Sequence, residues 1–193
     1  MVAGEISGDN LGTPLISELQ ARIPAEFVGV GGTGMCAAGL TSWYDMEQLT
    51  VNGLPLGRVP DLYRILRDLE ARFLANPPDV FVGIDYNFFN LWLEGLLRRA
   101  GIPTVHYVSP TVWAWRRGRL RQIKRNVDLM LTLYPFEAPI YHEHGIGVEF
   151  VGHPRADQIA PELGHLGRAA ARTRLGFDES ALVLAVLPGS RGR

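Results

Sequence analysis

Several polar side chains of the types used in catalysis directly follow apolar segments of the chain. Asp85 directly follows the apolar run Val80–Ile84. A carboxylate in such a place costs free energy unless it is solvated or has a hydrogen-bond or charge partner. The position suits a general base or a group that accepts a hydrogen bond from substrate, although an aspartate can also make a turn by bonding to its own loop. We predict a functional role for Asp85.

A second polar loop, AGEISGDNLG, follows the apolar residues at the start of the chain. Gly4 and Gly8 permit a tight turn, and Glu5, Ser7 and Asp9 place polar groups at the mouth of a predicted helix. Asp9 is equally suited to capping that helix, whereas the position of Glu5 at a strand end favours a function in a crevice. The loop lacks the Gly-Lys-Ser/Thr sequence of a P-loop.

The stretch LPGSR combines the end of an apolar run with a tight turn and an arginine. Backbone amides at such a turn, together with a guanidinium, make a good site for a diphosphate. We therefore predict that Gly189, Ser190 and Arg191 bind phosphate.

Two further patterns are weaker. The segment VGVGGTG has the spacing Gly29-x-Gly31-x-x-Gly34 of dinucleotide-binding proteins, but the following MCAAGL is too short for the helix that would carry a pyrophosphate. We favour a glycine-rich turn over NAD binding. His142 and His144 are two residues apart, which on a helix points them to different sides, and we predict neither a metal nor a cofactor.

The stretch HYVSPTVWAWRRGRLRQIKR is the densest in polar and aromatic residues. His106 lies within an apolar run and is interpreted as a core histidine rather than a catalytic one. Ser109 and the following Pro110 predict a turn. Trp113 forms either an apolar wall at a crevice or part of the core. Arg116 and Arg117 open a basic helix, which is either a solvated face or a patch for anionic lipid or phosphate.

These residues must be positioned by the elements between them, and short apolar runs alternate with helical patterns along the chain. The predicted strands are Met1–Ala3, Glu26–Val30, Val80–Ile84, Thr104–Val108, Leu129–Leu133, Val148–Val151 and Leu182–Leu187. The predicted helices are Leu11–Arg22, Asp61–Leu74, Phe89–Arg99, Val112–Arg125, Phe136–His144 and Gly167–Leu175. This alternation predicts an α/β fold with a doubly wound parallel sheet, whose binding residues follow the carboxyl ends of the strands.

Composition limits the classes of function. The net charge of −1 gives the molecule no strong field to attract nucleic acid. The single cysteine, Cys36, excludes an internal disulfide and fits a reducing compartment. No apolar run is long enough to span a bilayer.

Seven stretches together resemble one family, the lipid-A-disaccharide synthases, which are bacterial inverting glycosyltransferases. In the family's order and approximate spacing they are VAGEISGD, FVGVGG, WYDMEQL, DVFVGID, HYVSPTVWAWR, FVGHPRAD and LPGSRG. They cover nearly the whole chain, and several are long and unusual. The glycine fingerprint falls within the family's ordinary second-strand turn.

The resemblance implies a GT-B fold, in which two Rossmann-like domains face each other across a cleft. It implies a reaction in which UDP-2,3-diacylglucosamine and 2,3-diacylglucosamine 1-phosphate give lipid A disaccharide 1-phosphate and UDP. Asp85 and Arg191 match residues that look essential in the family, so we expect Asp85 to accept the proton of the acceptor's 6-hydroxyl and Arg191 to stabilise the departing UDP without a metal. The residues expected to contact substrate are Glu5, Ser7, Gly8, Asn90, Ser109 and Trp113.

The sequence departs from the family in two places. The family commonly follows its aspartate with Ala-Pro-Asp-Phe-Asn, whereas Asp85 is followed here by YNFFN, so a second acidic residue is lost. The family also carries an apolar patch near the segment after MEQL that is thought to rest on the membrane. Here that segment is shorter and broken by prolines, and its apolar residues either face lipid or belong to the core. The candidate membrane contacts are Leu54, Leu56, Val59, Leu62, Arg116 and Arg117.

The resemblance also sets expectations for organisation and location. We expect an acceptor-side Rossmann-like domain over residues 1–151, a crossover over 152–180 and the start of a nucleotide-sugar domain over 181–193, so that the chain is a fragment inactive alone. We expect a cytoplasmic protein that is peripheral on the inner face of the inner membrane. The alternatives are a UDP-sugar epimerase or NAD-dependent oxidoreductase with a Rossmann or GT-B fold, and a non-catalytic half-domain that binds acylated sugar.

Overall fold

The computed structural model describes residues 1–49, 59–113, 118–159 and 167–187. These form two compact units, Met1–His153 and Pro154–Arg193. The strands are β1 Val2–Ala3, β2 Phe27–Gly31, β3 Leu40–Asp45, β4 Phe81–Ile84, β5 Thr104–Tyr107, β6 Leu129–Thr132 and β7 Val148–Phe150. The helices are α1 Ile6–Gln20, α2 Thr33–Ala37, α3 Val59–Ala75, α4 Asn87–Arg99, α5 Arg119–Asn126, α6 Ala138–Glu143, α7 Arg155–Gln158 and α8 Arg168–Leu175.

The seven strands form one sheet in the order β3-β2-β1-β4-β5-β6-β7, and every neighbouring pair is parallel. The predicted α/β class with a parallel sheet is therefore confirmed. The strand order reverses between β1 and β4, where Val2 pairs with Gly83 and Ala3 with Ile84. In open α/β sheets this reversal opens a crevice at the carboxyl ends of the two strands.

Helices cover both faces of the sheet, which explains why the strands are apolar on both sides. On one face α3 and α4 pack through Leu66, Leu69 and Leu93. On the other face α1 and α2 pack through Ile16 and Met35. Side chains buried to this degree each contribute about 1.5–3 kcal/mol to folding, so the two layers hold the carboxyl edge of β1 and β4 firmly.

Two predictions about strands were wrong. Strand β3 was missed because its sequence, LTSWYD, mixes polar with aromatic residues and lacks the apolar composition of the central strands. It lies at one edge of the sheet, and only Leu40 of its six residues is buried. The run Leu182–Leu187 was predicted as a strand but forms none. Leu182 and Leu184 are 102% and 85% exposed, so the run has the composition of a buried strand but does not pair with any strand of the described residues.

Several predicted helix boundaries also shift. Helix α1 begins at Ile6 rather than Leu11, and α5 begins at Arg119 rather than Val112. The MCAAGL segment does contribute to a short helix, α2, of five residues. Within the described residues no helix is both long enough and apolar enough to cross a membrane.

Candidate functional site

The loops after β1 and β4 meet at the strand-order reversal. Glu5 occupies the N-cap position of α1, and Ser7 lies in the first turn of that helix. The hydroxyl of Ser7 donates a hydrogen bond of 3.0 Å to Oδ2 of Asp85, which directly follows β4. Two residues that were predicted separately as site residues are thus in contact across the crevice, although 78 positions separate them in the chain.

The backbone at Asp85 adopts an uncommon conformation. Asp85 and Tyr86 have φ angles of 51° and 42°, in the left-handed region that residues with a Cβ rarely occupy. The backbone amide of Asp85 donates to the carbonyl of Tyr107 at the end of β5, at 2.8 Å. Consecutive residues of this kind cost on the order of 1–3 kcal/mol each and are concentrated at functional sites.

The ring of Tyr86 lies over the β1 loop. Its hydroxyl donates to the carbonyl of Leu49 at 2.6 Å, and its ring stacks on Phe89. A Cβ at Gly4 would collide with this ring, so glycine at position 4 is required by the close approach of Tyr86. Gly8, predicted to contact substrate, is buried, and a Cβ there would lie 3.1 Å from Cβ of Ala3 and 3.2 Å from the carbonyl oxygen of Ile84.

A chain of hydrogen bonds runs from Asp85 into the protein interior. Nδ2 of Asn87 donates to Oδ1 of Asp85 at 3.4 Å, and Oδ1 of Asn87 lies 3.1 Å from Nε2 of His106. Nδ1 of His106 lies 2.7 Å from Oε1 of Glu94. The side chains of His106 and Glu94 are fully buried, and burial raises the pKa of the Glu94 carboxyl, although the imidazole opposes that shift.

Asn90 also lies under the site, and it is fully buried. Its amide donates to the carbonyls of Val2, Ile84 and Asp85, at 3.1, 3.3 and 3.0 Å. These bonds join the carboxyl ends of β1 and β4. The predicted contact of Asn90 with substrate stays a prediction.

The glycine fingerprint has a structural explanation. Asp9 lies in α1 and is 8% exposed, and its carboxylate accepts from the amides of Gly34 and Met35 at 3.0 and 2.9 Å. These amides open helix α2, where a dinucleotide-binding protein would hold a pyrophosphate. Asp9 therefore caps α2 rather than its own helix. A Cβ at Gly32 would lie 2.6 Å from Cγ of Asp9, so this glycine permits the carboxylate's approach.

Ser109 is turned inward. Its hydroxyl lies 2.7 Å from the hydroxyl of Tyr141 and donates to the carbonyl of Pro110 at 3.0 Å. Burial raises the pKa of Tyr141 to about 12 and also raises the pKa of the nearby buried Glu137 carboxyl.

Two groups of aromatic side chains are exposed. Trp113 is 47% exposed and contacts Phe136 edge to face, and Tyr134 stacks on the same ring. We call Trp113, Tyr134 and Phe136 the aromatic triad. These residues follow strands β5 and β6, so the triad belongs to the carboxyl edge of the sheet.

The second group, which we call the aromatic surface, consists of Tyr63 on α3 together with Phe88 and Trp92 on α4. Trp92 contacts both other rings, at centroid distances of 5.8 and 6.3 Å, and Phe88 is 70% exposed. Val59, a predicted membrane contact, is 55% exposed at the start of α3. Leu62 is half-buried.

Some predicted site residues lie outside the described residues. They are Gly189, Ser190, Arg191, Leu54, Leu56, Arg116 and Arg117. Within the described ranges, no group of three or more His, Cys, Asp or Glu side chains could hold a metal ion.

The sequence analysis did not single out Asn87 and Glu94, which the structure places in the hydrogen-bond chain behind Asp85. The sequence does contain a pattern that could have identified them. Asn87, Asn90 and Glu94 have the i, i+3, i+7 spacing that places residues on one face of a helix. In α4 this spacing sets polar residues on the face that packs against the sheet. A polar stripe on a buried face predicts a hydrogen-bonded network, since buried polar groups are nearly always partnered.

Comparison with known proteins adds an independent finding. A family model described as lipid-A-disaccharide synthetase matches residues 1–193. The chain is 56% identical to a lipid-A-disaccharide synthase of Alkalilimnicola ehrlichii, covering 99% of this chain and 50% of the relative. Proteins of the same name from Saccharophagus degradans and Pseudomonas fluorescens are 53% and 55% identical, covering all of this chain and 50% and 51% of those relatives. The chain thus spans about half the length of these curated relatives.

Proposed function

The chain belongs to the lipid-A-disaccharide synthetase family, and from that premise we propose that it supplies the acceptor side of a glycosyltransferase. The proposed reaction joins UDP-2,3-diacylglucosamine to 2,3-diacylglucosamine 1-phosphate and releases UDP. The product is lipid A disaccharide 1-phosphate. The observation that carries the proposal is the placement of Asp85 at the strand-order reversal, with Ser7 on one of its oxygens and Asn87 on the other.

In the proposed mechanism Asp85 acts on the nucleophile. The 6-hydroxyl of the acceptor donates its proton to Asp85 while its oxygen attacks the anomeric carbon of the donor sugar. Aspartate is a weak base, so proton transfer must be concerted with attack on a carbon that already carries positive charge. The left-handed backbone at Asp85 and the bond from Ser7 both fix the carboxylate before substrate arrives, which favours catalysis by positioning.

The leaving group requires positive charge on the donor side. We propose that Arg191, with the amides of Gly189 and Ser190, stabilises the diphosphate of the departing UDP. The guanidinium provides fixed positive charge for this step, so the proposal includes no metal.

The remaining contacts to substrate are assigned to the loops around Asp85. Glu5 and Ser7 are proposed to line the acceptor side, and the buried residues Gly8, Asn90 and Ser109 are proposed to support that surface from beneath. The exposed ring of Trp113 in the aromatic triad gives an apolar face that suits a sugar or the start of an acyl chain. This part of the proposal predicts that the triad is needed for binding rather than for turnover.

Acylated substrates require access to a lipid phase. We propose that the protein is cytoplasmic and binds peripherally to the inner face of the inner membrane. The aromatic surface of Tyr63, Phe88 and Trp92 supports this, because exposed aromatic rings partition to the membrane interface. Val59 and Leu62 adjoin it in sequence, and Leu54, Leu56, Arg116 and Arg117 are further proposed contacts.

The proposed function is tested with a chimera in which residues 1–193 replace the matching segment of the Pseudomonas fluorescens relative. We expect the chimera to release UDP and form disaccharide from the two acylated sugars. Asp85→Asn should lower kcat by about 10²–10⁴-fold. Asp79→Asn, which alters an exposed aspartate before β4, is the matched control and should retain full turnover. Wild-type kcat in Asp85→Asn would refute the role of Asp85, and an inactive chimera with intact folding would refute the reaction.

A further inference from the structure

We propose that Glu94, His106 and Asn87 form a positioning relay that presents a hydrogen-bond donor to Asp85 and so fixes the orientation of this carboxylate. The inference rests on the proposed function of Asp85, but its structural part can be tested without turnover. None of the three residues is proposed to touch substrate. They act through Asp85.

The relay begins with the side-chain amide of Asn87. A carboxylate oxygen only accepts hydrogen bonds, so the amide must present Nδ2 to Asp85, and its carbonyl oxygen must then face His106. Since that carbonyl oxygen also only accepts, Nε2 of His106 must carry a proton. The reversed amide would set its oxygen against the Asp85 carboxylate and would push the two groups apart.

The buried pair of His106 and Glu94 favours the state in which Nε2 of His106 carries a proton. Nδ1 of His106 and Oε1 of Glu94 are 2.7 Å apart, which requires a proton between them. With Nε2 also protonated, the pair holds two protons and is neutral overall, whichever group the shared proton rests on. Neutrality agrees with complete burial of both side chains, because a net charge in the interior is very costly.

The second carboxyl oxygen of Glu94 supports the same proton count. Oε2 is buried and has no hydrogen-bond partner in the described structure. An ionised carboxylate with an unpartnered oxygen would be poorly stabilised, so the shared proton is favoured on or near Glu94. Gly83 makes room for this group, since a Cβ at that position would collide with Oε1 of Glu94.

The relay fixes Asp85 because its inner end is immobile. His106 lies in β5 between β4 and β6, and Glu94 lies in the middle of α4. Asn87 is the first residue of the same helix and bridges the rigid pair to the partly exposed carboxylate. Ser7 holds the other carboxylate oxygen from the opposite side of the crevice, so both oxygens are oriented.

The structural test uses the 193-residue chain with ¹⁵N-labelled histidine. Long-range proton–nitrogen correlation spectra report which imidazole nitrogens carry protons, and His106→Gln identifies the signal among the five histidines. We expect a protonated Nε2 on His106 that shifts in Asn87→Ala and not in Asn76→Ala, which alters an exposed asparagine at the end of α3. An unprotonated Nε2, or a signal indifferent to Asn87→Ala, would overturn the proposal.

The functional test uses the same chimera as above. Asn87→Ala should lower kcat about tenfold or more, as expected for a lost hydrogen bond to a charged group, with KM changed less than about twofold. In the Asn87→Ala background His106→Gln should cause little further loss of kcat, because the link to Asp85 is already broken. Losses of kcat that multiply independently would refute the relay.

The two proposals fail in distinguishable ways. If the unaltered chimera makes no disaccharide, the proposed function fails, and the imidazole spectra still decide whether the relay exists. If the chimera is active and Asn87→Ala leaves kcat unchanged, the relay fails and the proposed function stands. Should His106→Gln prevent folding, detected as loss of the near-ultraviolet circular dichroism of the chain, Glu94→Gln takes its place in the cycle.

Discussion

The capping of α2 by Asp9 yields a quantitative prediction, in which Asp9→Ala destabilises the chain by about 3 kcal/mol. The carboxylate accepts two backbone hydrogen bonds, from Gly34 at 3.0 Å and from Met35 at 2.9 Å. Hydrogen bonds to charged groups contribute about 1.5–3 kcal/mol each. Since a variant with alanine here leaves two donors without an acceptor, the loss exceeds that of an ordinary exposed N-cap.

The two bonds are not equivalent. Met35 is fully buried, so water cannot replace the lost acceptor, and its amide accounts for about 2 kcal/mol of the loss. Gly34 is half-buried, so water partly replaces its acceptor and its amide accounts for about 1 kcal/mol. Asp9→Asn keeps one carbonyl oxygen and should lose about half as much as Asp9→Ala.

The assay is urea unfolding of the 193-residue chain followed by far-ultraviolet circular dichroism, supported by thermal unfolding. A loss of 3 kcal/mol corresponds to a fall in Tm of about 6–12 °C for a chain of this size. Gly32→Ala provides an internal check, because its Cβ would lie 2.6 Å from Cγ of Asp9. This Cβ has room once the carboxylate is removed, so Gly32→Ala should cost less in Asp9→Ala than in the parent.

Two results would refute this reasoning about Asp9. A loss below about 1 kcal/mol for Asp9→Ala would mean that the carboxylate acts as an ordinary exposed cap. If the losses of unfolding free energy in Asp9→Ala and Gly32→Ala simply add in the double variant, then contact with the Asp9 carboxylate is not the reason that position 32 requires glycine.

Two further predictions concern the sheet and the buried tyrosine. Gly29→Ala should unfold the chain or lower its free energy of unfolding by more than about 4 kcal/mol, because φ of Gly29 is +140° and a Cβ there would collide with the carbonyl of Met1. The control is Gly101→Ala, since Gly101 has a φ of +86° but open space around it. It should lower the free energy of unfolding by only about 1 kcal/mol in the same urea assay. Burial raises the pKa of Tyr141 to about 12, above its unfolded value near 10, so the unfolded chain loses this proton first. The free energy of unfolding should therefore fall by about 2–3 kcal/mol between pH 10 and pH 12. Tyr141→Phe should show a shallower fall over the same range. Equal dependence on pH in the parent and in Tyr141→Phe would contradict the raised pKa of Tyr141.

The sequence predicts the central strands well, because a parallel strand covered on both faces must be apolar throughout. Strands β4 and β5 follow this rule and were predicted to within a residue or two. The rule fails at β3, an edge strand in which only one of six residues is buried. It also fails at Leu182–Leu187, where composition alone cannot say whether a partner strand is present.

The site was predictable only in part, for a related reason. The position of Asp85 after an apolar strand points to a crevice, since parallel strands share a carboxyl edge. To predict its contact with Ser7, one must know the order of the strands in the sheet, and the apolar runs do not give that order. The capping of α2 by Asp9 likewise joins residues 25 and 26 positions apart, and only the packing of α1 against α2 brings them together.

The loop after Asp85 is one of the two places where this chain departs from the pattern of its family, and its contacts show what the departure changes physically. The resemblance leads one to expect an acidic residue three positions after the aspartate, but Phe88 stands there, 70% exposed and in contact with Trp92. The preceding residue, Asn87, turns its amide toward Asp85. The loop therefore presents an apolar ring outward and a neutral donor inward. The exchange adds exposed apolar area beside Trp92, and the neutral amide of Asn87 adds no like charge to repel the Asp85 carboxylate.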